Sequence, residues 1–334
     1  MRFKSIEFKK TNLIFIVTGI ILLLGVGMFF YNKHKKDSLN EPFVAQNIVN
    51  KGVPVAMALD DNYVFPTIVA ITSAMENAHE TNEYSFYLMH PKEFKEESKA
   101  KMKSLEKKYE GKCHIHLINM GEQFKNANDK GHITTPAYYR LALSELLVNL
   151  DKIIWLDGDT LVLQDLNQMY DIDMEGLYYR GFLDNNAYGA VSFGVDTDHY
   201  ICSGVMLVNL KELRKDDVAK KFNDFINENN SKLVQHDQTV INVVCADKIG
   251  ILSPRFGMFN FIATKERARE YPNALIAKNK YTSEEMLSAL NNLCVLHCVN
   301  KPWVDSNVAL GDLWWYYANK TNYYYEIKEK YPIF

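Results

Sequence analysis

The sequence lacks the common glycine-rich phosphate cradles. No G-x-G-x-x-G follows its first apolar strand, which argues against a dinucleotide-binding Rossmann domain, and no G-x-x-x-x-G-K-[ST] marks a P-loop. A G-x-S-x-G nucleophile elbow is missing too. Cysteine is sparse. The five residues Cys113, Cys202, Cys245, Cys294 and Cys298 are scattered with no C-x-x-C pair, a set that favours free buried thiols over a disulfide framework or a zinc site. Basic charge is not in excess: the formal net charge is −3, so no positive field points to nucleic acid. Internal repeats and low-complexity segments are absent.

What remains is ample for a folded core. Of the 334 residues, 47% are hydrophobic and 24% charged, which suits one or two α/β units. Residues 1–12 form a basic N-terminal segment with Arg2, Lys4, Lys9 and Lys10. Leu13 to Tyr31 follows without a charge. At about 1.5 Å per residue such a run crosses a hydrocarbon core of about 30 Å. The run is too long for a signal-peptide core and has no small-residue cleavage site, so a retained single-pass transmembrane anchor is expected at 13–31. Basic residues flank both ends, so charge does not set its orientation. Residues 32–52 read as a polar linker.

A globular domain is expected over 53–310. Val53 to Leu59 reads as a strand, Thr67 to Ala78 as a helix, Tyr84 to His90 as a strand and Lys92 to Tyr109 as a charged, solvated helix. Cys113 to Asn119 is a third strand, Pro136 to Leu150 a helix and Ile153 to Leu156 a fourth strand. Alternation of this kind predicts βαβ units in a mostly parallel α/β sheet. Ligands of such sheets bind beyond the carboxyl ends of the strands. Further on, Leu177–Leu183, Ser203–Leu210 and Leu293–His297 read as strands, and Leu210–Asn227 and Asp237–Cys245 as helices. Residues 311–334 form an aromatic and basic tail with Trp314, Trp315 and a run of tyrosines. It suits either a membrane interface or packing on the body.

The chain is organised around Asp157-Gly158-Asp159, at the exit of the fourth strand. Two carboxylates this close raise each other's pKa, and burial adds to the cost. A divalent cation with a preference for oxygen ligands relieves it. The tripeptide is equally compatible with a plain turn. Asp60 to Asn62 ends the first strand in the same way, and one crevice could hold both ends. A metal would do the phosphate work that no glycine loop here performs.

These pieces come in the order found in glycosyltransferase family 8, which the sequence resembles from about Val53 to Trp303. They are Ala58-Leu59-Asp60-Asp61-Asn62-Tyr63, Ala137-Tyr138-Tyr139-Arg140-Leu141, Trp155 to Val162 with its D-x-D motif, Ser203 to Leu210, His236-Asp237-Gln238-Thr239, and His297 with Lys301-Pro302-Trp303. The resemblance implies a GT-A fold, Rossmann-like with a mostly parallel sheet. It implies retaining transfer of a hexose from a UDP-sugar, with Mn²⁺ as the usual metal and Mg²⁺ as the alternative. The implied metal ligands are Asp157, Asp159 and His297, a mix of oxygen and nitrogen donors that suits Mn²⁺. Ala58, Asp60, Asn62, Tyr63, Arg140, Asp157, Gly158 and Lys301 are the implied donor-binding residues. Asp184, Asp237 and Gln238 are implied around the donor sugar and its anomeric carbon. Each also has an ordinary reading: Asp60 or Asn62 as a helix cap, Arg140 in a salt bridge, Lys301 on a solvated loop.

The pattern departs from the family at Cys202, where an asparagine is usual, at Thr239, and in the short loop after His297. A glycan or lipid-linked glycan is the expected acceptor. A cytoplasmic catalytic domain at a bacterial inner membrane is the favoured location. In a eukaryote the domain would lie in the Golgi lumen, and the sequons at Asn229 and Asn319 would then matter. A nucleotidyltransferase, and a degenerate member that only binds nucleotide-sugar, are the competing readings.

Overall fold

The computed structural model describes residues 48–124, 135–187, 191–195, 198–275 and 280–332. The anchor expected at 13–31 lies outside them. Among the described residues no helix is long and apolar enough to cross a membrane.

Strand β1 (Val53–Ala58) leads into helix α1 (Val64–Glu76). Asp60 Oδ1 accepts from the backbone N–H groups of Asn62 (2.8 Å) and Tyr63 (3.1 Å), so the chain turns directly into α1, three residues before the expected start. Pro66 fits there because a first-turn N–H has no partner to lose. Strand β2 (Tyr84–His90), helix α2 (Glu96–Lys108) and strand β3 (Cys113–Asn119) follow as expected, with α2 shorter at its start. Asp61 pins that start: its Oδ1 accepts from Lys95 N (3.2 Å) and Ser98 Oγ (2.5 Å).

The helix expected over 136–150 differs. Thr135–Ala142 is a 3-10 helix, followed by one α-turn, α3 (Leu143–Leu146). Tyr138 to Leu143 are consecutively buried. An α-helix with one apolar face cannot bury six residues in a row, so this segment is wedged into the core on every side.

Strand β4 (Lys152–Leu156) is next, then β5 (Thr160–Val162), the single turn α4 (Asn167–Tyr170), β6 (Tyr179–Leu183) and β7 (Ile201–Asn209). Helices α5 (Leu210–Lys215), α6 (Val218–Asn229) and α7 (His236–Val244) lead to β8 (Ile249–Ile251) and β9 (Phe256–Phe259). Helices α8 (Lys265–Ala274) and α9 (Ser283–Leu290), strand β10 (Val295–His297) and helices α10 (Gly311–Lys320) and α11 (Tyr324–Lys330) complete it.

Seven strands form one sheet in the order β3-β2-β1-β4-β7-β6-β8. Pairings within β3-β2-β1-β4 and between β6 and β8 are parallel, and β7 alone runs antiparallel to its neighbours. The expected α/β, mostly parallel sheet is therefore present. Its reversal at β7 sets the start of β7 beside the ends of β4 and β6. Asp157, Asp184 and Ser203 so meet at one edge.

Strand β4 is buried on both faces, and the two-residue period divides it. Ile154 and Leu156 join the core beneath α1, whereas Ile153 and Trp155 face the layer of the 3-10 helix, α6 and α7. A second, three-stranded sheet has the order β5-β10-β9. Its antiparallel register sets His297 opposite Thr160.

The tail packs on the body over its described length. Trp314 and Ile327 are fully buried in the α1 core, while Tyr316 and Tyr325 face solvent. Trp303 stacks against Trp314 (5.0 Å), Tyr331 (6.1 Å) and, edge-on, Tyr63 (6.3 Å). Tyr331 Oη donates to Asn62 O at 3.3 Å. All five cysteines are buried and unpaired, as their spacing implied.

Candidate active site

The turn after β4 is held from both sides. Asp157 N–H donates to Gly204 O (2.8 Å), and Cys298 N–H donates to Asp159 O (2.8 Å). The β5–β10 register and these two bonds bring Asp157, Asp159 and His297 together. One ligand atom from each lies within 4.8 Å of the others. Gly158 serves a different need from the bend its sequence suggests. A Cβ there would come within 2.6 Å of Thr67 Oγ1 and 3.2 Å of Tyr63 Cδ1, so the glycine lets the turn lie against α1.

Asp159 is the most constrained of the three. Its Oδ2 accepts from Lys301 Nζ, and His297 Nε2 lies 3.2 Å from its Oδ1. Oδ1 is buried, and its neighbour is the His297 imidazole, an ion-pair contact rather than a well-aligned hydrogen bond. Burial works against its charge, yet the Lys301 ammonium and the His297 imidazole hold the carboxyl well below the usual range. Burial equally opposes the His297 imidazolium, and Asp159 outweighs it, pushing His297 up to about 10. Two carboxylates and an imidazole gathered this closely fit a divalent cation, which takes hard oxygens together with a nitrogen.

Arg140 is the hub behind this group. Its guanidinium donates to Asp157 Oδ1 (3.0 Å) and to Ser203 O, pairs with Asp237 Oδ2 (3.0 Å) and lies 4.5 Å over the Trp155 ring. It therefore makes the salt bridges of its ordinary reading and fixes two expected site carboxylates. Trp155 Nε1 adds a bond to the same Asp157 oxygen (2.9 Å).

Asp237 and Gln238 open α7. The turn into it puts His236 at φ 48°, a left-handed conformation uncommon for a side-chain-bearing residue, with the ring held by Tyr138 Oη at 3.1 Å. Asp237 Oδ2 accepts from Ser203 Oγ (2.9 Å), and burial raises its carboxyl against the pull of Arg140. Gln238 is oriented at both ends. Its Oε1 accepts from Ser203 N–H (3.0 Å) and its Nε2 donates to Asp184 Oδ2 (2.9 Å). The expected trio Asp184, Asp237 and Gln238 is thus one connected group.

At the other end, Tyr63 abuts Gly158, and burial raises its phenol, helped by Asp159. Ala58, Asp60 and Asn62 stand at the end of β1, next to β4 in the sheet. Asp60 is committed to the turn that leads into α1, rather than to a cap on its first-turn N–H groups.

Ser203 and Gly204 carry more of the site than sequence reading gave them. Ser203 contacts Asp237 and Gln238 through separate atoms. A Cβ on Gly204 would overlap His297 Cε1 and come within 2.8 Å of Asp157 Oδ2 and 2.9 Å of His297 Nδ1. Both residues sit inside a β-strand, where serine and glycine are unusual choices, and that was the available signal. Cys202 Sγ lies 3.6 Å from His297 Nδ1.

This α/β architecture, with three potential cation ligands gathered at the sheet edge, is GT-A-like. The chain belongs to glycosyltransferase family 8: the family model, "Glycosyl transferase family 8", matches residues 54–307. Similar proteins include general stress protein A of Bacillus subtilis, 25% identical over 255 residues, covering 75% of this chain and 86% of that protein. Lipopolysaccharide 1,2-glucosyltransferase of Escherichia coli is 27% identical over 280 residues, covering 80% and 77%. The solved structure of the galactosyltransferase LgtC in complex with donor and acceptor sugar analogs superimposes with a TM-score of 0.69 at 22% identity, over 81% of this chain and 96% of that one; this likeness shows the fold.

Proposed function

We propose that this glycosyltransferase moves a hexose, galactose or glucose, from a UDP-sugar to a glycan or lipid-linked glycan acceptor, with retention at the anomeric carbon and a divalent cation, Mn²⁺ or Mg²⁺, at Asp157, Asp159 and His297. The observation that carries the reading is the convergence of those three donors, with ligand atoms within 4.8 Å of one another. A cation bound there supplies Lewis-acid stabilisation to a diphosphate leaving group. Lys301 adds a point charge beside it. Asp60, Asn62 and Tyr63 line the nucleoside side, Asp184 the sugar hydroxyls.

A covalent intermediate needs a free nucleophile beneath the anomeric carbon. Gln238 is a poor one. An amide is weakly nucleophilic, and both its ends are committed to Ser203 and Asp184. Asp237 is bound by Arg140 and Ser203. This supports front-side substitution through an oxocarbenium-like pair, in which the departing phosphate oxygen takes the acceptor's proton. The names of the similar enzymes, a glucosyltransferase and a galactosyltransferase, support a hexose. An anchor at 13–31 and a cytoplasmic face of a bacterial membrane complete the proposal.

The test is UDP release from a panel of UDP-sugars with Mn²⁺. Asp157→Asn and Asp159→Asn should each lower it about 100-fold or more. Activity surviving in both variants rules out the cation role. No release from any donor, together with no Mn²⁺- and UDP-dependent rise in thermal midpoint, leaves a non-catalytic member instead.

A further inference from the structure

Lys301 reaches a buried acid from a partly open loop. Its side chain is 29% exposed and that of Asp159 7% exposed, yet the ammonium sits directly on Asp159 Oδ2. The backbone around it is fastened. Asn300 exchanges two hydrogen bonds with Asn260, at 2.6 and 3.1 Å. The Lys301 carbonyl accepts from Val304 N–H (2.9 Å) and Asp305 N–H (3.1 Å). With the backbone held, movement of the ammonium falls to the lysine stem, whose compact, strongly hydrated head suits that.

The same carboxylate belongs to the cation-binding trio. An ammonium on Oδ2 and a divalent ion on the same small group are like charges in a buried place. A diphosphate bound at this end of the sheet would offer the ammonium other oxygens.

We propose that Lys301 is the resident counter-ion of Asp159 and couples nucleotide to cation: a diphosphate draws Lys301 off the carboxylate and so opens Asp159 to the divalent ion. The inference rests on the donor site proposed above. The coupling is reciprocal, so each ligand tightens the other by the same factor. The backbone stays in place throughout.

The experiment titrates Mn²⁺ into the full chain, with and without UDP, and reads free Mn²⁺ by its electron paramagnetic resonance signal. Lys301→Met should bind Mn²⁺ alone about fivefold or more tighter than the unmodified protein, and the tightening caused by UDP should shrink by about that factor. Lys301→Arg keeps the charge and should stay near the unmodified value for Mn²⁺ alone. A Lys301→Met protein that binds Mn²⁺ alone no tighter than the parent overturns the proposal. So does a Lys301→Arg protein that gains as much as Lys301→Met. If UDP binds neither protein, the donor-site reading fails, while the comparison with Mn²⁺ alone still decides whether Lys301 competes for Asp159.

Discussion

Asp237 and Asp159 are both buried carboxylates at one sheet edge, and their partners differ in kind. Asp237 shares a single guanidinium with Asp157, takes a hydroxyl from Ser203, and has its carboxyl raised by burial. Asp159 has two cationic neighbours, Lys301 and His297, and is held low. One side of the site is short of positive charge and tied down by neutral donors and Arg140. The other is rich in positive charge, with a cation at each oxygen of its carboxylate. Under the function proposed above, the first would be a fixed frame for substrate and the second the place where a divalent ion enters.

The largest effect should come from breaking the frame. Arg140→Met leaves the buried Asp237 and the half-buried Asp157 without their counter-ion. Removing one partner of a buried pair costs about 3–5 kcal/mol, and urea unfolding should show a loss of that order. A loss below about 1 kcal/mol would mean the guanidinium is not what holds the two acids. Gly204→Ala should come next. Its methyl would crowd Asp157 and His297 together, at about 1–3 kcal/mol for an overpacked position. The joint thermal shift with Mn²⁺ and UDP should vanish with it, whereas a preserved shift would show that His297 can move aside.

The smallest effect serves as a control remote from the site. Asp165 accepts from His79 N–H and Asn167 N–H, Asn82 Nδ2 (2.8 Å) and Tyr84 Oη (3.0 Å), with no cation. Burial raises its carboxyl, but these donors outweigh burial and lower it below the unfolded value of about 3.9. Its contribution to stability is therefore present above about pH 4 and lost as pH falls through the folded pKa. Asp165→Asn should lower stability by a constant amount above about pH 5, with the gap to the parent closing in acid. A gap that widens in acid contradicts this assignment.

The first half of the fold was readable because its strands are buried on both faces. Val53–Ala58 and Lys152–Leu156 are near-continuous apolar runs, the mark of a parallel sheet. Strands β5, β8 and β9 have three or four residues, too few for a period to show. The segment 136–150 read as an α-helix because its apolar content is high. Only tertiary wedging makes it a 3-10 turn, and no local signal carries that. In the site, the acids and His297 stood out because charge next to an apolar strand is costly. Gly204 did not, since what it provides is the space that His297 and Asp157 fill. Arg140 was placed at the site for a donor contact, and its ties to Asp157 and Asp237 depend on the reversal at β7, which no single strand announces.

Tyr331 and Lys330 both donate to the carbonyl of Asn62, at 3.3 Å each, across 269 and 268 positions of chain. Trp303 lies between this clasp and Tyr63. The wall beside the β1 exit is thus finished by residues far along the chain from β1. Because Trp314 and Ile327 of the same segment fill the core over α1, that wall and the core beneath it are completed together.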